Sequence, residues 1–135
     1  MLLEIAVGLV GAIVTIAAAR AVRGERILVL ALIALPLVYA AFALIDGDAA
    51  KAGLEVAVGL PFIVAGGYLF RRESAVGLTQ IAGAFWLAHG VFDVVRDDWI
   101  GNDGVPDWYP AVCLGFDLAV GGYLIVRGRR LVTAR

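Results

Sequence analysis

The sequence predicts an all-α protein, a polytopic transmembrane helical bundle, from its composition, its apolar runs and its charge pattern. Of the 135 residues, 62% are apolar and 17% are charged, whereas a soluble domain is about half apolar and a quarter charged. The mean hydropathy of +0.94 agrees with a chain that lies in lipid. The net charge of −1 argues against a nucleic-acid partner, and the single cysteine excludes an internal disulfide framework.

Five apolar runs define the predicted elements. A helix that crosses a bilayer core needs about 20 apolar residues, and the runs cover residues 2–22, 27–45, 54–70, 76–95 and 110–126. None of them alternates apolar with polar residues, so strands are not expected. We predict one transmembrane domain over residues 1–135, with short loops between five helices.

Basic and acidic residues alternate from one loop to the next. Asp46 and Asp48 follow the second run, and Asp97 and Asp98 follow the fourth. Basic residues follow the other three runs: Arg20, Arg23, Arg26, Arg71, Arg72, Arg127, Arg129, Arg130 and Arg135. Because basic loops favour the cytoplasmic side, the pattern predicts an outside N-terminus, five crossings and a cytoplasmic C-terminus. A prokaryotic plasma membrane is the expected location.

Recurring segments indicate an internal repeat. The sequence LEIAVGL at residues 3–9 recurs as LEVAVGL at residues 54–60, and both copies carry an arginine at the same later offset. The sequence GGYL at residues 66–69 recurs at residues 121–124. We predict two helical hairpins in the same orientation plus one extra helix. Chance similarity between apolar segments is the alternative.

Glycines mark the helix faces that are expected to pack against other helices, because small residues allow close approach in lipid. The second helix has bulkier residues, so we expect it to be the most exposed to lipid, with a kink at Pro36. The glycines on these faces are Gly8, Gly11, Gly59, Gly66, Gly83, Gly90, Gly115, Gly121 and Gly122.

Ionisable side chains within the spans are the functional signal. Each costs about 2.5–3.5 kcal/mol at a helix centre in lipid, so it is expected to face a cavity or a partner. His89 and Asp117 lie roughly 9 to 10 Å below the outer ends of their helices at 1.5 Å per residue, and Tyr39 lies at a similar depth. We predict one outward-facing pocket beneath the loop at residues 96–109, and its expected lining is Glu4, Tyr39, Glu55, His89, Asp93 and Asp117.

The same residues also have structural interpretations. Glu4 and Glu55 fit first-turn acids that the helix dipole favours. Asp93 fits a pair with the neighbouring Arg96, and His89 with Asp117 fits a hydrogen bond that ties two helices together.

Two active functions fit the predicted pocket. The first is cation- or proton-coupled binding or transport of a small solute, because a histidine and a carboxylate at one depth can exchange protons near neutral pH. The second is a metal-dependent membrane enzyme that acts on a lipid or apolar substrate by activating water. For this second function His89, Asp93 and Asp117 are the expected ligands of a divalent metal such as Zn²⁺, Mn²⁺ or iron, with Glu55 or Cys113 nearby.

A third interpretation is a non-catalytic subunit or scaffold of a membrane complex. Glycine-rich faces and an odd number of helices leave room for a partner subunit or a second copy, besides the membrane lipids. The sequence contains no Ser-His-Asp arrangement, phosphate loop or nucleotide fingerprint, so whether the protein is an enzyme stays open.

The last third of the chain carries a further pattern. The sequence HGVFD begins at residue 89, WYPAVC begins at residue 108, and Asp117 follows. This pattern of HGx(F/W)D, WYPxxC and D resembles that of a group of small bacterial integral membrane proteins of uncharacterised function. Many members of that group carry a histidine pair after the first aspartate, where this chain has Arg96 and Asp97. The resemblance implies a membrane location and supplies no activity.

Overall fold

The structure, a computed structural model, describes residues 1–22, 24, 26–72 and 76–133. That part of the chain forms no strand, which confirms the predicted all-helical class, and its six helices are α1 Leu2–Ala21, α2 Arg26–Ile45, α3 Ala49–Arg71, α4 Val76–Val95, α5 Asp97–Ile100 and α6 Tyr109–Thr133. Within the described residues, four segments are long and apolar enough to cross a membrane, and they are α1, α2, α3 and Tyr109–Arg130 of α6. This indicates an integral membrane protein. Arg23 and Arg135 of the predicted charge pattern lie outside the described residues.

The predicted helix bounds agree closely for α1, α2 and α4 and differ for α3 and α6. Helix α3 begins at Ala49 instead of residue 54, because Asp48 caps it and accepts a hydrogen bond from the Lys51 backbone N–H at 2.8 Å. Gly47, with φ of 86°, makes the turn before that cap. Helix α6 continues past residue 126 to Thr133, and neither this extension nor the one-turn helix α5 follows from the apolar runs.

Three helix pairs hold the bundle together: α2 with α3, α4 with α6, and α1 with α6. A Cβ added at Gly8 would lie 2.0 Å from the Val112 carbonyl oxygen, and one added at Gly83 would lie 2.7 Å from that of Gly121. Gly8 and Gly83 therefore lie at close helix contacts, as their spacing predicts. The same prediction was wrong for Gly122, where an added Cβ would meet nothing within 4 Å. The helices of the two predicted hairpins, α1 with α2 and α3 with α4, contact each other much less.

Helix α2 is more buried than predicted, and the expectation that it is the most exposed helix was wrong. Its buried residues are Leu28, Leu32, Pro36, Tyr39, Ala40 and Ala43, whereas α1 buries Gly8, Ala12 and Ala19. The reason is that glycines on α3 let this helix approach α2 closely. A Cβ added at Gly59 would lie 2.0 Å from Pro36 Cβ, and a Cβ added at Gly66 would lie 2.9 Å from Ile33 Cγ1. Bulky residues on α2 thus pack against glycines on its partner helix.

The two ends of the bundle differ in charge. The helices alternate in direction, so the starts of α1, α3 and α6 meet the ends of α2 and α4. We call this the carboxylate end, because Glu4, Glu55 and Asp93 lie there. The opposite, arginine end includes Arg20 and Arg127. Between them lies an apolar core in which Trp86 Nε1 donates a hydrogen bond to the Leu28 carbonyl at 2.8 Å.

Candidate metal centre

Two helices bring a histidine and two aspartates together at the carboxylate end. Helix α4 presents His89 and Asp93 on one face, one turn apart, and α6 presents Asp117. His89 Nδ1 lies 2.8 Å from Asp117 Oδ2 and 3.3 Å from Asp93 Oδ2. One ligand atom from each residue lies within 4.8 Å of the other two, so the three side chains form a compact set that could hold a metal ion.

A glycine permits this convergence. Gly90 follows His89 on α4, and a Cβ added there would lie 3.0 Å from Asp117 Cβ. A larger residue would push α6 away and lengthen the contact between the imidazole and the carboxylate. His89 therefore supplies the imidazole, and Gly90 leaves the space in which Asp117 can approach it.

The carboxylates of this centre are buried with few partners. His89, Asp93 and Asp117 are at most 2% exposed. Asp117 Oδ1 and both oxygens of Asp93 accept no hydrogen bond, and Asp93 Oδ2 has the ionic contact with His89 Nδ1. Buried carboxylate oxygens are normally paired or bound to a metal, because an unpaired charge is costly away from water. These oxygens are thus available to a cation.

Aromatic rings surround the imidazole of His89. The Phe62 ring lies edge-on at 5.0 Å between centroids, and the rings of Tyr39 and Phe92 lie at 6.2 and 6.3 Å. The Tyr39 hydroxyl is buried and makes no hydrogen bond. The surroundings are apolar, so electrostatic interactions within the centre are weakly screened.

A second buried polar cluster, which we call the loop latch, consists of Glu55, Arg96 and Asn102. Arg96 Nη1 donates to Glu55 Oε1 at 2.6 Å, and Asn102 Nδ2 donates to the same oxygen at 2.8 Å. Asn102 Nδ2 also donates to the Tyr39 carbonyl at 3.1 Å, and the Arg96 guanidinium lies 4.2 Å from the Tyr39 ring centroid. The latch fastens the segment after α4 onto α2 and α3, directly beside the metal-ligand set.

A cleft of about 490 Å³ lies beside the centre, between α1, α4 and α6. Asp93 and Val94 line it from α4, Glu4 lines it from α1, and Trp108 lines it at the start of α6. We call it the carboxylate cleft. The Asp93 side chain is fully buried, so the cleft lies against this residue without opening onto its carboxylate.

The structure distributes the predicted site residues over three places. His89, Asp93 and Asp117 meet in the candidate centre, with Tyr39 beside them. Glu55 is buried close by but belongs to the loop latch. Glu4 lies at the carboxylate cleft and pairs with the N-terminal amine of the chain. The predicted single pocket is therefore a buried centre, a latch and a cleft.

Arg96 and Asn102 were not among the predicted site residues. The sequence does set Arg96 apart. It is the one arginine of a loop whose other charged residues are all acidic, and the charge pattern predicts few basic residues on that side of the membrane. Such an arginine indicates a specific structural partner. Asn102 has no comparable signal, since a polar residue in a loop with Gly101 and Gly104 fits an ordinary turn.

No family model, no curated protein and no solved structure matches the chain. The resemblance to small bacterial membrane proteins therefore stays a prediction. The residues that carry it lie around the candidate centre: His89 and Asp93 come from its first part, and Cys113 and Asp117 come from its second.

Proposed function

We propose that this is a small membrane protein whose His89–Asp93–Asp117 centre binds a divalent transition-metal cation and exchanges it for protons. The observation that carries the proposal is a buried pair of carboxylates from two helices: one oxygen of each contacts His89 Nδ1, and the other oxygen of each accepts no hydrogen bond. Cation-coupled binding or transport of a small solute is the function that such a centre supports best.

The two ligand separations at His89 Nδ1 are close to those around a tetrahedral ion. With metal–ligand bonds of about 2.0–2.1 Å, adjacent ligand atoms of a tetrahedron lie roughly 3.3 Å apart. The separations of 2.8 and 3.3 Å around His89 Nδ1 need only small adjustments to reach that value. Three protein ligands would leave a fourth position for water or a solute, as in catalytic and transport sites.

The charge of the centre also favours binding of a divalent cation. Glu55 and Arg96 neutralise each other within the loop latch, whereas Asp93 and Asp117, when both are ionised, would bring two negative charges to a single imidazole. Burial of that charge in lipid is unfavourable. Either one divalent cation or about two protons makes the centre neutral, so metal binding is expected to release protons.

The membrane arrangement that fits this function has five crossings. Helix α4 has 20 residues and packs along α6, which itself is long and apolar enough to cross, so we propose that α4 crosses with it. The arginine end would then face the cytoplasm of a prokaryotic cell, and the carboxylate cleft would open to the outside. In this arrangement the exposed apolar faces contact lipid, a second copy or a partner subunit.

The internal repeat also stays a proposal, but its repeating unit changes. We propose the pairs α2 with α3 and α4 with α6 as the two copies, in place of the hairpins α1 with α2 and α3 with α4. Sequence similarity matches Tyr39 and Phe42 of α2 with His89 and Phe92 of α4, and the GGYL segments match α3 with α6. The most closely packed pairs, α2 with α3 and α4 with α6, fit that correspondence better than the predicted hairpins do.

Metal titration of the purified full-length protein tests the proposal. We expect about one Zn²⁺, Mn²⁺ or Fe²⁺ per chain, with an affinity that rises with pH and with protons released into a weak buffer. Asp93→Asn and Asp117→Asn should each weaken binding by at least about 100-fold, because each removes one charged ligand. Asp103→Asn is the matched control, because it removes an exposed carboxylate at the same end.

Several outcomes of this titration would contradict the metal proposal. If none of the three ions binds stoichiometrically, or if the two ligand variants bind as well as Asp103→Asn does, the centre is not a metal site. Proton uptake by the wild-type centre without metal affinity would instead favour a proton-handling pair. The 2.8 Å contact between His89 and Asp117 would then be its active element.

A metal-dependent enzyme is the second candidate, because the carboxylate cleft that borders Asp93 is lined mainly by apolar side chains, including Ile5, Pro110 and Leu114. An apolar substrate could approach a metal-bound water there. Mass spectrometry of a membrane lipid extract incubated with the metal-loaded protein tests this. New products that are absent with Asp117→Asn would support an enzyme, and an unchanged lipid profile would count against it.

A further inference from the structure

A basic cleft lies at the arginine end, far from the candidate metal centre. It has a volume of about 440 Å³ between α1 and α6. Arg20 from the last turn of α1 lines one side, and Arg127 and Arg130 from α6 line the other. Among the residues that the structure describes, no carboxylate lines this cleft.

The spacing along α6 explains why the cleft is basic. Tyr123, Arg127 and Arg130 follow one another at intervals of four and three residues, so they share one helix face. Gly122 lies beside that face, and a Cβ added there would meet nothing within 4 Å. The missing side chain therefore leaves the floor of the cleft open, in contrast to the glycines at close helix contacts.

The depth of the cleft matches that of lipid phosphates. Helix α6 begins at Tyr109, and Arg127 lies roughly 27 Å further along at 1.5 Å per residue. The hydrocarbon core of a bilayer is about 30 Å thick. If α6 begins at one membrane surface, Arg127 and Arg130 reach the headgroup region of the other, where anionic phosphates are concentrated.

We propose that this cleft binds a phosphate group, as presented by an anionic phospholipid headgroup. Arginine guanidinium groups bind phosphate oxygens in a bidentate manner, and three of them from two helices can surround one phosphate. Each guanidinium has five N–H donors, so one arginine can contact a phosphate and another group at the same time. A headgroup bound here would join α1 to α6 through a charged ligand. The proposal is independent of the metal centre.

Short-chain lipids test the proposal with the purified full-length protein in a non-ionic detergent. Calorimetry would compare dihexanoyl phosphatidic acid, inorganic phosphate and dihexanoyl phosphatidylcholine. We expect saturable binding of phosphatidic acid, at least tenfold tighter than that of phosphatidylcholine. If inorganic phosphate binds as tightly as phosphatidic acid, the ligand is a free phosphate. If phosphatidic acid binds at least tenfold tighter than phosphate, the ligand is a lipid.

Two pairs of variants separate a built site from general positive charge. Gly122→Leu fills the cleft without changing the charge, and we expect it to weaken phosphatidic acid binding at least tenfold. Gly67→Leu is its control, because a Cβ at Gly67 also meets nothing within 4 Å and the residue lies on α3. Arg20→Gln should weaken binding at least tenfold, whereas Arg71→Gln, at the same end but outside the cleft, should change it less than twofold.

Equal binding by Gly122→Leu and Gly67→Leu would overturn the proposal, provided that both variants keep wild-type helicity by circular dichroism. Equal losses for Arg20→Gln and Arg71→Gln would also overturn it, because they would reveal a diffuse charge effect. Absence of saturable binding for both phosphatidic acid and phosphate would do the same.

Discussion

The two ends of the bundle carry opposite charges and differ in how they accommodate them. At the carboxylate end, Glu55, Asp93 and Asp117 are at most 2% exposed and lie within contact distance of specific partners or of each other. At the arginine end, Arg20 and Arg130 are exposed and line an open cleft. One end is a packed polar interior, and the other is a charged surface.

This difference shows how burial determines what a charged residue can do. A buried carboxylate in an apolar environment needs a cation, a proton or a hydrogen-bond donor nearby, so the carboxylate end suits a small ion. Exposed arginines keep their hydration and do not need a fixed partner, so the arginine end suits a larger anionic group that arrives from the membrane. The free energy of unfolding should therefore depend strongly on the buried charges of the carboxylate end and weakly on exposed charges at either end.

The largest expected effect comes from the buried pair of the loop latch. Arg96→Met leaves Glu55 buried and charged, which should lower the free energy of unfolding by about 3–5 kcal/mol. Arg20→Gln at the arginine end should change it by less than about 0.5 kcal/mol. Equilibrium unfolding in mixed micelles, followed by circular dichroism, measures both. The double variant Arg96→Met with Glu55→Leu should recover most of the loss, and failure to recover would mean that the charge of Glu55 is not the cause.

The second-largest expected change in the free energy of unfolding comes from a bound metal ion. At a free Zn²⁺ concentration of 100 times Kd, the wild type should gain about 2.7 kcal/mol of stability. Asp93→Asn should gain less than about 0.5 kcal/mol at the same Zn²⁺ concentration, because a Kd weakened 100-fold leaves the site about half occupied. Thermal unfolding of both proteins with and without Zn²⁺ measures the difference. An equal gain for Asp93→Asn and the wild type would mean that Asp93 does not hold the metal.

Substitutions at two glycines compare a close helix contact with an open cleft through their effect on the free energy of unfolding. Gly8→Ala should cost about 1–3 kcal/mol, because its Cβ would lie 2.0 Å from the Val112 carbonyl oxygen. Gly122→Ala should be neutral or gain up to about 1 kcal/mol from its higher helix propensity, since its Cβ meets nothing. The same unfolding experiment compares them. Equal costs at both positions would contradict the close contact of α1 with α6.

The smallest expected effect is at an exposed ion pair of the carboxylate end. Lys51 Nζ lies 3.4 Å from Asp103 Oδ2, and the Asp103 side chain is 86% exposed. Lys51→Ala should change the free energy of unfolding by less than about 0.5 kcal/mol, because water and salt screen such pairs. A loss above about 1 kcal/mol would show that burial is not what separates strong from weak charge pairs in this protein.

The depth of each ionisable residue could be predicted, but its partner could not. His89 and Asp117 were expected at one level because their distances from the helix ends are similar, and the structure brings them together. Glu55 was expected in the same pocket, yet it pairs with Arg96 from the segment after α4. A helix rise of 1.5 Å per residue determines depth, whereas the direction of a side chain depends on helix rotation and on loops that no periodicity describes.

The amino-acid sequence by itself determined the helical class, the apolar spans and the separation of acidic from basic loops. These properties depend on local composition and on the bilayer thickness, both of which can be counted along the chain. Only the tertiary structure decided that α1 packs on α6, that Arg96 forms an ion pair with Glu55, and that a cleft opens beside Gly122. Such contacts join residues from distant segments, and they depend on which helix faces fit each other closely.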